Sequence, residues 1–143
     1  MQTSRSAVLA LLVLAGTAGT GTATADAPFT GVFSGTGRAC SGGLYVRTKT
    51  IEWNSSFSVC KPARYRVLEQ DLARDHGRIA FRLDARSRQC RYEVIEAERI
   101  STYGWSVQGY QSLEAYQKHA LPGWRNSPLD ERLVLSRPMT RLD

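Results

Sequence analysis

The side chains with the greatest capacity for chemistry are three cysteines, Cys40, Cys60 and Cys90, and two histidines, His76 and His119. A thiol beside an imidazole is a nucleophile with its base, and both residue types bind zinc. The spacing serves neither chemistry. His76 sits in Asp75-His76-Gly77, a turn signal. His119 follows Lys118 at the end of a short helical stretch. The sequence holds no H-E-x-x-H and no C-x-x-C, and no glycine-rich loop follows a strand and opens a helix. Glu96 and Glu98 share one face of an extended segment and read as an ordinary strand end. No catalytic residue, metal ligand or cofactor site is assigned. The pattern points to a binding protein rather than an enzyme, with a hydrolase built on Cys40 or a histidine as the weakest alternative.

Arginine is the second chemical resource. The chain carries 19 Lys and Arg against 13 Asp and Glu, a net charge of +6, and its only lysines are Lys49, Lys61 and Lys118. Guanidinium groups hold carboxylates and phosphates in a planar fork. Arg64, Arg66, Arg78, Arg82 and Arg91 are expected on one face of the strands described below, tempered by Asp84 and Glu93. That register sets Arg66 beside Arg82, and Arg82 beside Arg91. Like charges directly opposed destabilise a sheet, so the cluster is read as an anion-binding patch. The aromatic residues Trp53, Phe57, Tyr103, Trp105, Tyr110, Tyr116 and Trp124 flank loops and read as fillers of barrel ends.

Residues 1–25 place this chemistry in a compartment. Arg5 supplies a positive charge, Ala7 to Ala15 is unbroken apolar sequence, and small residues lead to Ala23-Thr24-Ala25. This is the layout of a secretory signal peptide. The apolar run is shorter than the roughly 20 residues a membrane span needs, so no transmembrane anchor is expected. Cleavage is expected after Ala25, because the overlapping site Ala25-Asp26-Ala27 would leave Pro28 at the new terminus. Residues 26–143 then form a single β domain, periplasmic or secreted. Nucleic acid is excluded as a natural partner by the compartment, despite the charge.

Short strands with tight turns must position these groups. Arg78 to Leu83 alternates Ile79, Phe81 and Leu83 with Arg78, Ala80 and Arg82, the period of a half-buried strand. Arg64 to Glu69 alternates likewise. Folding at Asp71 to Gly77 sets Val67 beside Phe81 and Tyr65 beside Leu83. A third strand is expected over Cys90 to Val94, with Phe81 beside Tyr92 and Ile79 beside Val94. Leu44 to Arg47 and Thr50 to Trp53 form a hairpin turned at Thr48-Lys49. Phe29 to Ala39 is a glycine-rich strand, Trp105 to Tyr110 another, and Arg132 to Ser136 the last. Ser112 caps a short helix stopped by Pro122-Gly123. The fold class is mostly β: a small antiparallel barrel or sandwich of about seven or eight strands with one short helix near the C-terminus.

An oxidising compartment should pair two of the three cysteines. Even numbers of strand traversals separate them, so all three are expected at one end of the sheet. Cys60–Cys90 is the first choice and Cys40–Cys60 the alternative, with one thiol left over. The expected function is an exported, non-enzymatic binding or interaction module engaging anionic envelope components or a protein partner through the arginine-rich face. Small exported barrels include lysozyme-inhibitor-like and lipocalin-like proteins. Gly31-Val32-Phe33 resembles the G-x-W near the start of lipocalins, with phenylalanine in place of tryptophan, so no residue role carries over. A lipocalin-like barrel holding a small apolar ligand against Tyr65, Phe81 and Tyr92 is the second reading.

Overall fold

The computed structural model describes residues 27–36, 42–56, 58–73, 75–128 and 135–143. The segment 1–25, the site after Ala25 and Cys40 lie outside them. Eight antiparallel strands follow one another around a closed barrel: β1 (Gly31–Gly35), β2 (Gly42–Val46), β3 (Thr50–Ser55), β4 (Val59–Asp71), β5 (Arg78–Leu83), β6 (Val94–Arg99), β7 (Gly104–Tyr110) and β8 (Leu135–Arg141). One helix, α1 (Leu113–His119), follows β7, and a 3-10 turn spans Trp124–Asn126. Ser112 caps α1 by accepting a hydrogen bond from the Ala115 amide. Among the described residues no helix is long and apolar enough to cross a membrane.

The period-two segments fold as their side chains dictate. Tyr65 pairs with Leu83, Arg66 with Arg82, and Val67 with Phe81, the register that sets Tyr65 with Ile79, Phe81 and Leu83 on the core face, while Ala80 is buried on the other face and Val67 stays exposed. Beyond Val67 a bulge shifts the register, so Glu69 meets Ala80. The first hairpin turns at Thr48-Lys49 and pairs Val46 with Ile51. Pairing of Phe33 with Arg141 and Gly35 with Met139 closes the barrel.

Two strands depart from the sequence expectation. The third strand of the meander is Val94–Arg99, so Phe81 pairs with Ile95 and Ile79 with Ala97. Cys90 and Tyr92 are buried, yet they belong to a loop, and Arg82 faces Val94 rather than Arg91. Both faces of β6 are covered: Ile95 and Ala97 join the main core, while Val94 and Glu96 are buried outside it. The last strand runs to Arg141 through Pro138. The Pro138 carbonyl accepts from Thr36 on the β1 side, and pairing with β1 starts only at Met139. Proline, which has no amide proton to donate, thus stands at the end of the β1–β8 ladder.

Side chains fill the barrel. Phe33, Leu44, Ile51, Trp53, Ile79, Phe81, Ile95 and Val107 are fully buried. The ring of Phe29 meets those of Phe33, Phe81 and Trp105, with centroids 5.8–6.2 Å apart. Tyr65 stands edge-on to Phe81, and Trp53 packs against Tyr92. The disulfide is Cys60–Cys90, with Cα atoms 4.4 Å apart.

Candidate functional site

The sheet face carries four of the five expected arginines, Arg64, Arg66, Arg78 and Arg82, and three of these have partners. Arg66 pairs with Asp84 at 3.3 Å, Arg78 with Glu69 at 3.1 Å, and Arg82 with Glu93 at 2.8 Å. These acids answer the repulsion that the Arg66–Arg82 pairing would otherwise cause. Such partly exposed pairs add roughly 0–1 kcal/mol each to stability; their larger effect is to cancel charge. Arg64 lies further along β4, opposite Thr50, and is exposed. Arg91 is not on this face.

Arg91 lies in the segment joining β5 to β6, at the end of the barrel that holds the disulfide. This segment contains Arg86, Arg88 and Arg91, and its acids, Asp84 and Glu93, stand at its two ends and turn to the sheet face. The first residues of β4 pair with β3 on one side, and the segment around Cys90 takes the place of a strand on the other. The Val59 amide donates to the Gln89 carbonyl at 3.1 Å. The Ser87 hydroxyl donates to the Val59 carbonyl and accepts from the Lys61 amide. The Arg91 amide donates to the hydroxyl of Ser58, a buried polar side chain. Arg86 donates to the carbonyls of Arg91 and Gln111. With the Cys60–Cys90 bridge these bonds give Arg88 and Arg91 a fixed backbone on either side of a covalent link.

Two shallow cavities open there. One, of about 400 Å³, is lined by Ser56, Ser58, Val59, Arg88, Gln89 and Arg91. The other, of about 230 Å³, is lined by Val59, Lys61, Ser87, Arg88 and Gln89. Neither lining contains a carboxylate. Among the described residues, Lys61, Arg88 and Arg91 make no ion pair. Arg88 escapes a reading by strand period because it lies in a loop, and Lys61 because it precedes the alternating part of β4, Arg64 to Glu69. The available signal is their position beside Cys60 and Cys90: a bridge fixes whatever flanks it.

A second cluster lies on the outer face of β5–β7, beneath α1. Glu96 is only 6% exposed. Burial pushes its carboxyl above the usual range, Arg78 pulls it down, Glu98 and Glu69 push it up, and a hydrogen bond from Tyr110 pulls it down. Burial, then the Glu96 charge, pushes the Tyr110 hydroxyl well above its usual range. Burial likewise raises Tyr116, which donates to Glu69 at 2.7 Å. Burial and then Arg78 lower His119, whose Nδ1 lies 3.3 Å from the Tyr110 hydroxyl. Tyr110 is fully buried, whereas Glu69, Arg78 and His119 are exposed. Among the described residues no three or more His, Cys, Asp or Glu side chains are placed to hold a metal ion.

This cluster sets a pH dependence. A buried acid with a raised pKa makes the folded state bind more protons than the unfolded one, so its cost is absent below the unfolded value near 4.5 and grows as pH rises through the folded value. Glu96→Gln keeps the shape and a hydrogen-bonding group without the charge. The variant should melt a few degrees higher than the parent at pH 8, with the gain shrinking towards zero near pH 4. Thermal melts of both proteins across that range check this; a gain equal at all pH values would exclude buried charge as its cause. His119 acts in the opposite sense, removing stability as pH falls below 6.5, and is common to both proteins.

The fold and this geometry define a small closed eight-stranded antiparallel barrel with a disulfide-stapled cationic rim. No family model, curated protein or solved structure matches the chain.

Proposed function

We propose that the chain is an exported, non-enzymatic binding module that engages an anionic envelope component through the cationic rim at the disulfide end. Residues 1–25 support export, and the disulfide agrees with an oxidising destination. One observation carries the binding reading: Lys61, Arg88 and Arg91 surround cavities without a carboxylate, on a backbone fixed before any ligand arrives. Placing cations in advance removes part of the ordering cost that binding otherwise incurs. Of the sheet-face arginines, Arg66, Arg78 and Arg82 have their charge largely cancelled by paired acids, and Arg64 is left to add to long-range attraction. The lipocalin-like alternative has less support, because the rings of Phe29, Phe33, Phe81 and Trp105 occupy the interior in mutual contact.

Binding to immobilised heparin, used as a generic polyanion, tests the assignment. Arg88→Glu with Arg91→Glu should weaken binding at least tenfold at low salt. Arg66→Glu with Arg82→Glu, which reverses the same number of charges on the sheet face, should weaken it less than threefold. Equal losses would mean that overall charge, and not the rim, governs binding.

A further inference from the structure

We infer that the rim takes a linear, hydrophilic polyanion laid across the disulfide, its successive anionic groups meeting Arg91, Arg88 and Lys61 in that order. This rests on the anion-binding reading above and adds the form of the ligand. The two cavities are separate and share a wall. Val59, Arg88 and Gln89 line both, Arg91 lines only the first, and Lys61 lines only the second. The wall is held by the hydrogen bond from the Val59 amide to the Gln89 carbonyl and by the bridge at the neighbouring Cys60 and Cys90, so the cavities cannot merge around one ion. A single compact anion would reach Arg88 and one other cation. A chain of anions crossing the wall reaches all three.

The hydroxyls nearby are already engaged. Ser58 accepts the Arg91 amide, and Ser87 serves Val59 and Lys61. Recognition is therefore left to the cations and to Gln89, which favours repeated charge over a cage of neutral donors. The apolar lining is a single residue, Val59. A peptide would bring side chains that need apolar pockets, and a membrane surface would favour apolar residues that insert between lipids. Neither finds them in these cavities. The shared chemistry is a flexible chain with one negative charge per repeat, carried by phosphate or by carboxylate.

Calorimetric titration of the disulfide-bonded protein with two graded series tests this. The first runs from inorganic phosphate to linear polyphosphate, the second from galacturonic acid to oligogalacturonates. Affinity, counted per repeat, should rise at least tenfold from monomer to a chain of several repeats in at least one series, and the better series identifies the anion. The slope of log affinity against log salt should report about three contacts at roughly 0.7 each. Lys61→Gln, an exposed substitution that leaves the Lys61 amide in place, should reduce that slope by about one contact for long chains. Monomers that bind as tightly per repeat as chains, or a long-chain slope indifferent to Lys61→Gln, would overturn the linear-polyanion assignment while keeping an anion site. Absence of binding in both series and to heparin would overturn the anion reading itself.

Discussion

Replacing Cys60 and Cys90 together by alanine should lower the free energy of unfolding by about 3.5 kcal/mol. The bridge closes a loop of 30 residues. Releasing that loop returns conformational freedom to the unfolded chain, and domains of this size hold only about 5–15 kcal/mol in total. Both cysteines are buried, so the substitution also removes core contacts and adds to the loss. The hydrogen bonds between Val59 and Gln89 and between Arg91 and Ser58 do not depend on sulfur, so the loop should keep its path while gaining mobility. Urea unfolding of the parent and the double variant measures the effect directly. The midpoint should fall, and a change smaller than about 1 kcal/mol would mean that the hydrogen bonds alone fix the loop. Rim affinity should fall with stability, because mobile arginines must be ordered on binding.

The same loop marks the limit of what can be read from sequence. In the β4–β5 hairpin the register from Tyr65 to Val67 is legible, because Tyr65 and Val67 alternate with Arg64 and Arg66, as Ile79, Phe81 and Leu83 do with Arg78 and Arg82, but the bulge beyond Val67 has no signal in that alternation. In the next strand that logic fails. Ile95 and Ala97 face the core while Val94 and Glu96 are covered on the outside, so no period remains, and the alternation of Cys90, Tyr92 and Val94 imitates a strand three residues too early. Closure of the barrel rests on β1 meeting β8 across more than 100 residues, a contact with no local signature. Strand counting leaves Cys60–Cys90 and Cys40–Cys60 open, with the first preferred, and the structure has Cys60–Cys90. For the candidate site, the alternation of Cys90, Tyr92 and Val94 points Arg91 to the sheet face while the structure has it in the loop before β6, and Lys61 and Arg88 carry no strand-period signal. Their relevance depends on carboxylates being absent around them, and that depends on where Asp84 and Glu93 turn.

Gly109 should be among the least replaceable residues of the barrel, and the sign of the effect separates packing from propensity. A glycine inside a strand is ordinarily a weakness, and on β-propensity alone Gly109→Val should stabilise by up to about 1 kcal/mol. The space at this position says otherwise. A Cβ there would lie 2.7 Å from Cγ and Cδ1 of Tyr92 and 2.8 Å from Cζ3 of Trp53. Those two rings pack on each other with centroids 5.2 Å apart, and Trp53 is fully buried. Neither ring can withdraw without disturbing the core, because interiors packed to crystal density transmit such shifts. Gly109→Ala should therefore cost roughly 1–3 kcal/mol, and Gly109→Val more. At Gly123, where an added Cβ meets nothing within 4 Å and φ is −82°, alanine should be neutral or slightly stabilising. Urea midpoints for the three variants decide the matter, and a Gly109→Val protein as stable as the parent would remove the steric argument. If the Tyr92 ring is the obstacle, Gly109→Ala should cost less in a Tyr92→Leu background than in the parent, a coupling that a simple loss of β-pairing would not produce.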